Sequence, residues 1–91
     1  SMEPLLHSFF DVSDEGKSLV TVQLIEVKED LSCPRLEQLS LLFRGPKRPA
    51  LPQKIYIFRH DAIDDLGIFI VPIGQDREGV LYQAIFNRLK N

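Results

Sequence analysis

The sequence has little cysteine and no tryptophan: Cys33 is the single cysteine. One cysteine allows neither an internal disulfide nor a Cys-rich zinc spacing, which fits a reducing setting, and we predict a cytoplasmic protein. The apolar runs are shorter than the roughly 18 residues that a membrane-spanning helix needs, and no basic region followed by an apolar one opens the chain. We therefore expect no membrane association and no export signal.

An excess of charge of one sign is also missing. The chain has 11 Lys and Arg against 13 Asp and Glu, for a formal net charge of -2. Without a basic excess to hold a phosphate backbone, we predict no nucleic-acid partner. With 44% hydrophobic and 26% charged residues, the composition is that of a globular domain and not of a disordered or fibrous chain.

The length of 91 residues predicts one domain over residues 1–91. A chain of this size can bury enough surface to fold without a metal or a disulfide. Ser1 ahead of Met2 is typical of the remnant of a cleaved expression tag, so it takes no part in the prediction of the fold.

The chain does contain short apolar stretches separated by turn residues, and the most apolar one covers residues 66–86. Residues 66–73 are apolar on both alternate sets, so we expect a strand with both faces covered. The polar connector at residues 74–79 makes this strand the first arm of a β-hairpin. The second arm, residues 80–86, is predicted as a strand, with a C-terminal helix as the alternative because several apolar residues also fall at helical spacing.

Alternation of apolar and polar residues predicts further strands over residues 19–27, 36–44 and 54–60. Residues 4–10 fit either a short capping helix or the approach to a strand that starts near Phe9. The apolar phase shifts near Leu24 and Ile25, which predicts a β-bulge. Residues 28–34 are predicted as a polar loop that ends at Pro34.

The three prolines in residues 45–53 predict a long, stiff connection, and residues 61–65 predict an acidic turn. Turn signals between regularly spaced strands are typical of an all-β fold. We predict a small antiparallel barrel or sandwich of about six strands, which leaves room for a short terminal helix.

Several short motifs are spread over most of the chain, from about residue 10 to residue 87. They are Leu-Phe-Arg-Gly-Pro at 42–46, Leu-Pro-Gln-Lys-Ile-Tyr at 51–56, Phe-Ile-Val-Pro-Ile-Gly at 69–74 and Tyr-Gln-Ala-Ile-Phe-Asn at 82–87. Together they resemble a small uncharacterised bacterial family of β-rich domains. The resemblance implies a compact β fold and no catalytic residues, and by analogy a structural role in an intracellular or phage-tail-like assembly.

Two groups of residues are candidates for binding. The first group could present a rigid, charged surface to a protein partner or to a second copy, and its members are Arg44, Lys47, Arg48, Pro49, Pro52 and Lys54. Residues 49–54 also fit a Pro-x-x-Pro-x-basic pattern that binds aromatic grooves. Prolines that simply stiffen a crossover loop would explain the same residues. The second group could surround an interior pocket for a small ligand: Tyr56, Phe58, His60 and Tyr82.

Residues that could support catalysis or metal binding lack the necessary spacing. His60 with Asp61, Asp64 and Asp65 is the nearest approach to a metal cluster, but the spacing is unspecific and a solvated acidic turn explains it better. Cys33 has no evident activating base, and the loop at residues 74–79 lacks the lysine of a phosphate-binding loop. We predict no metal, no cofactor and no enzymatic activity. The predicted function is a non-enzymatic structural or protein-interaction module, with a small-ligand-binding β-barrel as the alternative.

Overall fold

A computed structural model describes residues 3–89 of the chain. A short 3-10 helix, Glu3–Leu5, precedes six strands, which are β1 (Phe9–Asp14), β2 (Lys17–Cys33), β3 (Leu36–Gly45), β4 (Lys54–His60), β5 (Ile63–Gln75) and β6 (Val80–Leu89). The predicted all-β class and its six antiparallel strands are confirmed. Residues 80–89 form a strand, so the alternative of a C-terminal helix there is wrong.

The six strands form one antiparallel sheet that closes on itself. Their order is β1-β2-β3-β6-β5-β4, and pairing of β1 with β4 completes the ring. The ring is uneven, because β3 and β6 pair along their whole length while β5 and β6 pair only where residues 71–75 face residues 80–83. Among the described residues, no helix is long and apolar enough to cross a membrane.

A β-bulge lies where the apolar phase of the sequence shifts. The register between β2 and β3 moves by one residue between Leu24 and Glu26. In a regular strand, residues 24 and 27 would lie on opposite faces of the sheet, because side chains alternate from one residue to the next. The extra residue, Ile25, therefore lets buried Leu24 and half-buried Val27 both pack against the core.

The predicted loop at residues 28–34 is wrong. These residues continue β2 as far as Cys33 and pair with β3, from Lys28 opposite Ser40 to Cys33 opposite Leu36. Residues 28–33 are all exposed, so this part of the strand has no buried face to impose apolar alternation on the sequence. Pro34 lies in the turn after the last pair, where a missing backbone N–H costs nothing.

The core fills the inside of the ring. Its buried hydrophobic residues are Phe10, Val12, Val20, Val22, Leu24, Leu41, Phe43, Leu51, Tyr56, Phe58, Ile68, Ile70, Val80, Tyr82 and Ala84. Phe43 contacts both other buried phenylalanines, with ring centroids 5.7 Å from Phe10 and 5.0 Å from Phe58. Burying one such side chain contributes about 1.5–3 kcal/mol, so these three rings are a large part of the stabilisation.

The expectation that both faces of residues 66–73 are covered is wrong. Ile68 and Ile70 are buried inside the ring, but Phe69 remains 48% exposed and Ile73 50% exposed. The sheet is a single layer closed on itself, so outward side chains have no second layer to cover them. Residues 66–73 are therefore apolar on both faces of the strand, but one face is buried in the core and the other is exposed.

Candidate functional site

The four residues predicted to surround a ligand pocket lie on the inner side of the ring. Tyr82 and Phe58 are fully buried, Tyr56 is buried, and His60 is half-buried at the end of β4. The His60 ring lies 4.9 Å from the Phe10 ring, and its Nδ1 accepts a hydrogen bond from the backbone N–H of Ala62. The four side chains are part of the packing, so their arrangement does not support an interior ligand cavity.

Among the cavities formed by the described residues, two on the surface of the ring are large enough to consider. The larger, of about 360 Å³, is lined by Leu39 and Phe86 and bordered by Glu29 where β2 and β3 extend beyond the ring. The smaller, of about 240 Å³, lies beside His60 and Arg59. Of the four predicted pocket residues, His60 alone lines either of these two cavities.

Two tyrosines of the core attach the proline-rich loop to the ring. The Tyr82 hydroxyl accepts a hydrogen bond from the backbone N–H of Leu51 at 2.8 Å, and Leu51 itself is buried. The Tyr56 hydroxyl donates to the backbone carbonyl of Pro52 at 2.7 Å, and desolvation raises the pKa of this tyrosine. The loop is thus stiffened by its prolines and also by two hydrogen bonds to the core.

The basic residues predicted to form one patch are divided between different environments. Lys47 and Arg48 are exposed at the tip of the loop, together with Pro49. Arg44 instead pairs with Asp76, at 2.7 Å, and with Glu78 in the β5–β6 loop. Lys54 forms an ion pair with Asp14.

Asp76 holds the β5–β6 loop in shape. Its carboxylate accepts hydrogen bonds from the Arg44 guanidinium and from the backbone N–H groups of Glu78 and Gly79. The hydrogen bond from Arg44 is the main reason that the pKa of Asp76 lies below its usual value. The same contact raises the pKa of Arg44. Arg44 and Asp76 therefore stabilise a turn, and these contacts occupy the guanidinium of Arg44.

The acidic turn is shorter than predicted, because β5 begins at Ile63. Asp65 in β5 pairs with Arg59 in β4 at 3.3 Å. Within residues 3–89, no group of three or more His, Cys, Asp or Glu side chains is placed to hold a metal ion.

The outer side of β4 and β5 carries an apolar surface, and the sequence analysis predicted that its β5 part would be covered. It consists of Ile55 and Ile57 on β4 and Gly67 and Phe69 on β5, and we call it the β4–β5 face. Ile55 pairs with Phe69 across the two strands, and Ile57 pairs with Gly67. Ile55 is 60% exposed and Ile57 is 37% exposed.

The signal for this face is present in the sequence. Residues 55 and 57 alternate with buried Tyr56 and Phe58, and Phe69 alternates with buried Ile68 and Ile70. A strand that is apolar on both faces is usually covered on both faces, so the pattern alone favoured burial. Knowledge of the single-layered ring was needed to place one of the two faces in solvent.

The fold and the surface define a small all-β domain whose interior is packed and whose outer face is partly apolar. The chain belongs to the family described as a domain of unknown function (DUF6916), whose model matches residues 1–86. The expectation of an uncharacterised domain family is confirmed. Searches of curated proteins and of solved structures found no match.

Proposed function

We propose that this chain is a non-enzymatic structural or protein-interaction module that binds another polypeptide through the β4–β5 face. The observation that carries the proposal is the exposure of Ile55, Ile57 and Phe69 side by side on two paired strands, with Ile73 exposed further along β5. At about 180 Å² for a fully exposed residue of this size, the four leave roughly 350 Å² in contact with water. A patch of that size is comparable with the largest on a typical monomer, and such patches are often functional.

The inner residues have structural roles that favour this proposal over a ligand-binding barrel. Of the three polar side chains of the predicted pocket, Tyr56 and Tyr82 bond to Pro52 and Leu51 of the proline-rich loop, and His60 accepts a hydrogen bond from the backbone N–H of Ala62. The aromatic rings of Phe10, Phe43 and Phe58 pack against one another in the same space. Recognition is therefore better assigned to the outside of the ring.

Charge on the outer face is low and balanced. Along the outward positions of β4 and β5, Arg59 and Asp65 lie at one end of the face and pair with each other. A partner that covered the face could therefore leave these two charges paired with each other. An apolar interface is most favourable when it buries no unpaired charge.

The exposed tip of the proline-rich loop is a second surface for the same function. Lys47, Arg48 and Pro49 are free to meet a partner, and the loop leads directly into β4 at Lys54. Binding at this tip remains a prediction. A bacterial source, a cytoplasmic location and a place in an intracellular or phage-tail-like assembly remain predictions too.

A photo-crosslinking amino acid in place of Ile55 tests the proposal in the cells that produce the protein. We expect ultraviolet light to attach a polypeptide at this position, and we expect the adduct to disappear when Phe69→Glu is added. The matched control places the same crosslinker at Thr21, which is exposed on β2 and is separated from β4 by β1. The proposal is wrong if position 55 gives no adduct, or if position 21 gives the same adduct.

A further inference from the structure

The glycines of the chain differ in whether the fold explains them. Gly16 has a positive φ of 80°, which favours glycine in its turn. A Cβ at Gly79 would lie 1.8 Å from the carbonyl oxygen of Gly45, and a Cβ at Gly45 would lie 2.9 Å from Val22. At Gly67, by contrast, φ is not positive and a Cβ would fit.

The space at Gly67 is a shallow hole in the β4–β5 face. A methyl group placed there would lie 3.6 Å from Ile55 Cγ2 and 3.9 Å from Ile57 Cδ1, which is ordinary van der Waals contact. A glycine inside a strand costs about 0.5–1 kcal/mol compared with alanine. Such a glycine often marks a place where another group approaches the backbone closely.

A matching projection lies two residues away on the same strand. Phe69 is 48% exposed and is the next outward residue after Gly67. Outward residues two positions apart on a strand are separated by about 7 Å. A two-fold axis near Ile68 would therefore place Phe69 of each copy over Gly67 of the other. An isologous interface requires this reciprocity, in which residue i contacts j and j contacts i.

The area of the surface suits a second copy. A standard interface buries about 800 Å² per partner, and homodimer interfaces are about 65% apolar, so about 500 Å² of apolar surface is needed from each copy. The four exposed apolar residues of β4 and β5 supply roughly 350 Å² of that. The remainder would come from half-buried Val71 and the apolar stems of the rim.

We infer that the β4–β5 face binds a second copy of this chain, with Phe69 of each copy packed against Gly67 of the other around a two-fold axis. The inference rests on the proposed function, because it names the partner of the same face. Two faces stacked in this way would lie about 10 Å apart, as in a β-sandwich.

Sedimentation of the whole chain over a concentration series, from about 1 μM to about 1 mM, tests the inference. We expect the mass to rise from 10.4 kDa towards twice that value. Gly67→Ala should weaken association at least about tenfold, and Gly67→Val should weaken it further, because both fill the hole. Phe69→Ser should weaken it as well by removing the projection.

The control is Gly74→Ala, also on β5, where a Cβ would meet nothing within 4 Å. This variant should associate like the native chain, and thermal unfolding of each variant checks that it is folded. Gly67→Val adds apolar surface, so stronger or unchanged association in that variant would show nonspecific adhesion and overturn the inference. A native chain that stays monomeric throughout would overturn it too.

The sedimentation and cross-linking results can fail independently. A monomeric chain that still gives an adduct from position 55, lost with Phe69→Glu, would refute the second copy and leave the proposed function standing. The absence of both association and adduct would refute both.

Discussion

Tyr82 connects the core and the proline-rich loop through a single side chain. Its ring is fully buried among the inner residues, and its hydroxyl accepts the hydrogen bond from the backbone N–H of Leu51. A buried backbone donor without a partner is costly, so this contact stabilises the loop as well as the core. Tyr56 has the corresponding role for the carbonyl of Pro52.

Replacing Tyr82 with Phe should lower the free energy of unfolding by about 1–3 kcal/mol, because the buried N–H of Leu51 would lose its acceptor. Tyr56→Phe is the matched control. It should cost less, because the Pro52 carbonyl belongs to an exposed residue and can bond to water. Urea denaturation of both variants measures the difference. A larger loss for Tyr56→Phe would contradict this assignment.

Asp76 should make the stability of the chain depend on pH in the acid range. Its pKa is lowered in the folded state from an ordinary value of 3.8, chiefly by the hydrogen bond from Arg44. The stabilisation is therefore present above that ordinary value and is lost as the pH falls through the lower pKa of the folded state. Asp76→Asn keeps an oxygen for the backbone N–H groups but cannot ionise.

Melting temperatures of the native chain and of Asp76→Asn, measured from about pH 6 to about pH 2, check this prediction. The native chain should lose its advantage over the variant as the pH falls below the ordinary aspartate range. Two curves that stay parallel over the whole range would show that the ionised carboxylate contributes nothing.

At the scale of the elements, the β5–β6 hairpin depends on a close approach of two backbones. Gly79 lies against Gly45, which pairs with the next residue of the chain, Val80, where β3 meets β6. Sequence analysis predicted residues 74–79, which begin and end with glycine, as the connector of this hairpin. The structure separates the two glycines, because Gly79 has no room for a side chain and Gly74 has open space.

Gly79→Ala should therefore destabilise the chain by about 3 kcal/mol or more, since a backbone oxygen cannot move aside without breaking strand pairing. Gly74→Ala should change the free energy of unfolding by less than about 0.5 kcal/mol. Thermal or urea denaturation gives both values. Equal effects of the two substitutions would contradict the close approach.

The strands also show how much of the fold can be predicted from the alternation of apolar and polar residues. It predicted β4 at its observed limits and the bulge at Leu24, because buried and exposed residues alternate there. It missed the outer part of β2, residues 28–33, because an exposed strand places no constraint on the polarity of its residues. It also predicted burial for Phe69, since apolar residues on both faces of a strand look the same in sequence wherever the second face lies.

At the scale of the whole molecule, the two sides of the closed ring differ in role. The inner side is packed by aromatic and aliphatic residues and fixes the fold. On the outer side, β4 and β5 carry exposed apolar residues. The candidate surface could not be predicted from the sequence, because it depends on which strands become neighbours and on the absence of a covering layer over the described residues.

Nuclear magnetic resonance of isoleucine methyl groups tests most directly the claim that the β4–β5 face binds a second copy of the chain. Spectra would be recorded as the protein concentration rises from about 10 μM to about 1 mM. We predict concentration-dependent shifts at Ile55 and Ile57, with Ile25, half-buried on β2, unchanged. Spectra that do not change, or shifts at Ile25 as large as those at Ile55 and Ile57, would contradict the account.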